Sequence, residues 1–140
     1  MTRELDETNP YYRQMMAGSR GRFGRYLMER SFDPGVWTAS SLLDGTLRAD
    51  SDQALSKRLQ TLTADQRDAV LALARKSVIA ALHGLLHGLS NDENVIQLFF
   101  EGENIAKESD GLHGDLFWWL RDLSKYPYDV ESDLPDLGLG

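Results

Sequence analysis

Apolar residues recur at helical spacing through most of this chain. After Asn9 and Pro10, which read as an N-cap with proline in the first turn, Tyr12, Met16, Phe23 and Leu27 fall on one face. The spacing predicts a helix from about residue 10, weak or bent in its middle. Gly18, Gly21 and Gly24 lie there, and an interior glycine costs about 1 kcal/mol relative to alanine. Asp33, Pro34 and Gly35 form a turn signature, so residues 31–44 are expected to be irregular, with Val36 and Trp37 as core anchors. A short helix should follow over residues 51–62, with Leu55, Leu59 and Leu62 inward.

The strongest helical pattern begins where Thr63 and Gln66 form a capping box, and it runs to about Leu89. Leu71, Val78, Leu82, Leu85, Leu86 and Leu89 share a broad apolar arc, while Asp65, Asp68, Arg75 and Lys76 gather opposite. Ser77, Ala81, Gly84 and Gly88 make a narrow ridge of small residues, which predicts close packing of another backbone and marks this as the buried central helix. Ile96, Leu98 and Phe100 alternate as in a strand, although Ser90 and Glu93 could instead open a helix there. The strand reading makes Glu101 to Asn104 a turn and Ile105 with Ala106 the start of a return strand. Ser109 or Asp110 then caps a last helix that turns Leu112, Leu116, Trp119, Leu120 and Leu123 to one side and ends before Pro127. The expected fold is mainly α with a small β-hairpin (α+β). It forms one compact helical domain over residues 1–128 around the central helix, followed by an acidic, aperiodic tail over 129–140.

Composition narrows the setting. The chain has no cysteine, which excludes disulfides, thiolate nucleophiles and cysteine metal sites. Residues 1–8 carry charge and no apolar run, and the apolar stretch of residues 77–89 is broken by His83 and His87 and falls short of the ~20 residues of a membrane span. A cytoplasmic protein without membrane attachment is expected. The net charge is −7, and residues 101–140 hold ten acidic and three basic side chains. Such a surface repels nucleic acid and steers a basic protein toward it.

Several residues could carry chemistry. His83 and His87, four apart on one helix, could grip a metal ion, with a third ligand from His113, Glu101, Glu103 or Asp110. The position that holds the general base of a zincin is Gly84, so metalloprotease chemistry is excluded, and two solvated histidines on a half-exposed face are the simpler expectation. Residues 109–115 gather Ser109, Asp110, His113 and Asp115 at a helix start, where an anion could bind, but ordinary capping is the stronger explanation. Residues 18–25 combine glycine and arginine without a preceding strand or a Lys-Ser/Thr pair, so they are expected to pair with the chain's own acidic half. Trp118 points away from the Leu112 to Leu123 face and is either an exposed partner anchor or covered by the acidic tail. The candidate partner-binding set is Trp118, Asp115, Asp122, Glu101 and Glu103.

The run from Phe100 to Ala106, continued by Ser109 through Asp115 to Trp119, Ser124, Lys125 and Tyr126, resembles a pattern in small uncharacterised bacterial proteins classed as domains of unknown function. The resemblance covers the last third of the chain, implies a bacterial origin and supplies no activity. Without a complete catalytic constellation, a protein-binding role of the immunity or regulatory kind ranks above an enzyme, and no cofactor is expected. The competing expectation is a small metal-dependent hydrolase using His83, His87 and His113.

Overall fold

The computed structural model describes residues 8–128. It is mainly helical with one antiparallel hairpin, as the periodicity predicts. Helix α1 (Pro10–Ala17) opens where expected: Asn9 Oδ1 accepts a hydrogen bond from Tyr11 N at 2.9 Å, and proline fills the first turn. The chain breaks at Gly18 and re-enters α2 (Ser19–Leu27). Gly24 sits inside α2 because Trp119 packs onto it, and a Cβ at residue 24 would lie within the indole.

Residues 31–44 are helical, contrary to the turn signature. After α2 a π-helical turn, Met28–Phe32, leads without interruption into α3 (Asp33–Asp44). Pro34 has no N–H to offer the preceding turn, and the ladder already runs at the wider register there: Asp33 N bonds Met28 O. Gly35 is a packing glycine, since a Cβ on it would meet Val78 Cγ2 at 3.1 Å. Val36 is in the core as expected, whereas Trp37 is 53% exposed. Helix α3 stops at Gly45, whose φ of 73° supplies the left-handed cap.

Helix α4 (Asp50–Leu59) forms near its expected place but turns the other way, leaving Leu55 exposed and Leu59 and Leu62 only half-buried. Its buried residue is Ser56, and polar groups hold it: Gln60 Nε2 donates to Leu43 O at 2.6 Å, and Gln53 Nε2 donates to Leu47 O.

Helix α5 (Ala64–Asn91) starts with the complete Thr63–Gln66 capping box. Ile79, Leu82, Leu86 and Leu89 form its buried stripe against α3 and α6 (Leu112–Asp122). The helix is not buried around its circumference: Leu71 and Val78 are half-buried, Leu85 is exposed, and the ridge of Ser77, Ala81 and Gly84 faces outward, with nothing within 4 Å of a Cβ at residue 84. By length and composition α5 could cross a membrane, and only 17% of its most apolar stretch is buried inside the fold.

The hairpin is shorter than expected: β1 (Phe99–Phe100) pairs with β2 (Glu103–Asn104), with Phe99 opposite Asn104. Glu101 and Gly102 take φ of 53° and 81°, the two left-handed positions of a tight hairpin turn. Ile105 and Ala106 enter a 3₁₀ turn, Ile105–Glu108, rather than a return strand, because Ile105 is fully buried in the core. Neither Ser109 nor Asp110 caps α6 directly; Gly111 is its N-cap, and Ser90 Oγ of α5 accepts from Leu112 N at 3.1 Å. Leu112, Leu116, Trp119 and Leu120 are buried, as the periodicity predicts. The expected acidic tail, 129–140, lies outside the described residues.

Two alanine substitutions separate a packed glycine from an open one. Gly24→Ala should destabilise the fold by roughly 1–3 kcal/mol or more through overpacking against Trp119. Gly84→Ala should stabilise it by about 1 kcal/mol, because an exposed helix interior gains only propensity. Denaturant midpoints of the two variants check both signs.

Candidate functional site

The N-terminal helices and α6 meet in a buried polar cluster. The Tyr11 hydroxyl accepts from Arg20 Nη1 at 2.8 Å and donates to Asp115 Oδ1 at 2.9 Å, while Ser109 Oγ donates to Asp115 Oδ2 at 2.6 Å. Arg20 also pairs with Asp115 at 3.6 Å and lies over the Tyr11 ring. Gly111 N donates to Ser109 Oγ at 2.9 Å, so the start of α6 hangs on the same cluster. Arg20 and Asp115 are both buried, and a buried ion pair is tolerated only when further hydrogen bonds occupy its remaining donors and acceptors. The cluster is a joint: the Ser109 proton and the Asp115 oxygens are committed to one another and to Tyr11 and Arg20. Beside it, Tyr11, Asp110, Gly111, His113 and Trp118 line an open groove of about 370 Å³.

The acidic residues expected on a binding surface divide accordingly. Asp115 is inside the molecule, not on its surface. Asp122 is also covered, with its side chain 5% exposed; it accepts from the Tyr12 hydroxyl and pairs with Arg121. Burial, then the hydrogen bond to the Asp122 carboxylate and its charge, push the Tyr12 phenol up to about 12. Glu101 and Glu103 stay exposed on the hairpin but are engaged: Arg22 Nε donates to Glu101 Oε1 at 2.9 Å, and Ser19 Oγ donates to Glu103 Oε2 at 2.9 Å. The hydrogen bond from Arg22 holds the Glu101 carboxyl below its ordinary range. The glycine and arginine run of α2 therefore pairs with the chain's acidic half, as its sequence context suggests. Trp118 is half-buried, with its ring against Tyr11 and Tyr12 at centroid distances of 5.6 and 5.4 Å, rather than freely exposed; the acidic tail expected as its alternative cover lies outside the described residues.

The histidines do come together. His83 and His87 project from α5 toward α6, where His113, the second residue of that helix, meets both. Ring centroids are 4.9 Å apart for His87 and His113, 5.3 Å for His83 and His113, and 6.5 Å for the stacked His83 and His87. Phe117 closes one side at 6.0 Å from His83. Glu101 and Glu103, weighed as third ligands, sit instead at the hairpin beside α2. As the rings lie, no three histidine, aspartate or glutamate side chains among the described residues are arranged around a common metal position. The i, i+4 spacing signals the α5 pair; the arrival of His113 depends on the register of α6 against α5, which no local pattern encodes.

Sequence reasoning missed two features. One is Tyr11 as the hub between Arg20 and Asp115, hidden because Asp115 lies 104 residues away in the sequence. The other is the bare outer face of α5, whose signal was the ridge of small residues assigned to packing. The chain matches no protein-family model, and no curated protein or solved structure is similar to it.

Asp115→Ala would leave Arg20 buried without its carboxylate and should cost roughly 3–5 kcal/mol in urea denaturation. The Tyr12 phenol also sets a pH dependence. Its pKa is raised in the folded state from 10.0 to about 12, so its contribution is complete below the unfolded value and is lost as pH climbs from the first figure to the second. Ultraviolet titration should show one tyrosine ionising near the upper value, and Asp122→Asn should bring it down.

Proposed function

We propose that the protein is a binding domain that associates with another protein through the outer face of α5. The carrying observation is chemical: between Ala69 and Asn91 the full charges of α5 are those of Arg75 and Lys76 alone, and both are half-buried. Ala69, Leu73, Ser77, Ala81, Gly84 and Leu85 make a face about 24 Å long at 1.5 Å per residue. Leu73 is 66% and Leu85 54% exposed, in a chain of which 26% is charged. A contiguous apolar strip of that length is what interaction surfaces present, whereas scattered single leucines would need no explanation. Its small residues allow a partner backbone to come close while the two leucines serve as anchors.

This reading keeps the protein-binding role and moves the working surface away from Trp118. Asp115 and Asp122 are spent inside the fold, and the other acids between residues 101 and 128, the exposed Glu101, Glu103, Glu108 and Asp110, are left to steer a basic partner rather than to hold it. A regulatory or immunity-type role fits a surface of this kind. Catalysis is supported less, because the hydroxyl and carboxylates of the Tyr11 cluster are mutually bound.

Immobilised wild-type protein should retain a stoichiometric protein partner from source-cell extract, and Leu73→Glu should lose it. Leu73→Glu should stay within about 0.5 kcal/mol of wild-type stability, as a surface substitution. Glu101→Gln should slow association at low salt without abolishing it. Retention of the partner by Leu73→Glu, or recruitment of the wild type to lipid vesicles in place of a protein, would contradict the proposal.

A further inference from the structure

The chain contains three histidines, and the fold brings all three to one seam between α5 and α6. We propose that His83, His87 and His113 form a binding site for a single first-row transition-metal ion of the zinc class, closed by rotation of the imidazole rings.

Three observations support it. The first is spacing. Three imidazoles bound tetrahedrally with metal–nitrogen distances of about 2.0–2.1 Å hold their ring centres about 5 Å apart. The pairs that include His113 stand at 4.9 and 5.3 Å, and only the His83–His87 pair, at 6.5 Å, must draw together. Those two rings are already nearly parallel, 16° apart, on adjacent turns of one helix, so turns about their side-chain bonds suffice and the backbone can stay in place. In the present edge-to-face packing the ring nitrogens do not face one point, so binding requires these side-chain turns.

The second observation is an unmet group. His113 Nδ1 is buried and has no hydrogen-bond partner, although a buried ring nitrogen ordinarily has one. The third is access. His87 is exposed and His83 half-buried, so an ion can enter from solvent and a fourth position remains open to water or to an outside ligand. Imidazole donors select zinc, copper, nickel and iron over magnesium and calcium. No group among the described residues is placed as a general base beside that fourth position, so the proposal is of a binding site and carries no reaction.

Leu73, the anchor tested for partner binding, lies ten residues before His83 along α5, about 15 Å at 1.5 Å per residue, so its substitution leaves the histidines in place. Metal binding therefore stands or falls independently of partner binding.

The test uses the purified, chelator-treated full chain titrated with zinc chloride in a calorimeter, with X-ray absorption at the zinc edge on the saturated wild type. The expected result is one equivalent bound, a rise in melting temperature, and a first shell containing three imidazole nitrogens. His83→Ala, His87→Ala and His113→Ala, each verified as folded by circular dichroism, should weaken binding by about tenfold or more. The absorption measurement needs no variant and decides the matter if His113→Ala does not fold. Failure of the folded wild type to bind one equivalent, a shell with fewer than three imidazoles, or undiminished binding in His87→Ala would overturn the proposal.

Discussion

The seating of Trp119 on Gly24 is the contact on which the rest of the fold depends. The indole is fully buried, with Phe23 edge-on at 5.6 Å and its N–H directed at Met15 Sδ at 3.2 Å. It reaches those partners only because residue 24 has no side chain. An aromatic of this size dominates the local burial energy, so the three glycines that weaken the N-terminal helix locally are offset by what one of them admits. With the tryptophan in place, Arg20 and Tyr11 meet Asp115, Arg22 meets Glu101, and α6 is fixed across the N-terminal helices. The same placement presents His113 to α5.

That seam also decides what the surface has left to offer. The acidic residues of the last third would form a binding face if they were free, but the arginines of α2 and the two N-terminal tyrosines take up the central ones. Charge placed for recognition and charge placed to join two ends of a chain look alike in a sequence; they differ in whether the opposite charge folds back on them. Here it does, and the uncharged outer face of α5 is the more informative surface.

Much of the fold was legible where a local rule governs it. Asn9 with Pro10 and Thr63 with Gln66 fix helix starts through bonds within a few residues, and both form as read. The burial of Leu112, Leu116, Trp119 and Leu120 followed from periodicity. Local rules failed where a tertiary contact competed. Asp33, Pro34 and Gly35 spell a turn, yet a π-helical turn absorbs the proline and Val78 occupies the space beside the glycine. Gly84 and Gly88 suggested a close backbone, but a glycine opposite a neighbour and a glycine opposite water have the same letter. Helix α4 turned Ser56 inward and Leu55 outward because the amides of Gln53 and Gln60 reach the carbonyls beyond and within the end of α3. For the candidate site, the spacing of His83 and His87 was visible and His113 stood among the third partners weighed, but its arrival at the pair rests on the packing of α6 against α5.

The central claim is that the core turns on Trp119 at the α2–α6 seam, with the long helix α5 adding one buried stripe to it and leaving its other side exposed. Native-state hydrogen exchange resolves this residue by residue, since amides in the most stable unit open only with global unfolding. The slowest amides should be those of Leu116 to Leu120 and of Phe23 to Leu27, with α5 beyond its buried stripe and α4 exchanging through smaller openings. If the amides of α5 are the slowest throughout its length and α6 opens before them, the long helix is the core and the claim is wrong.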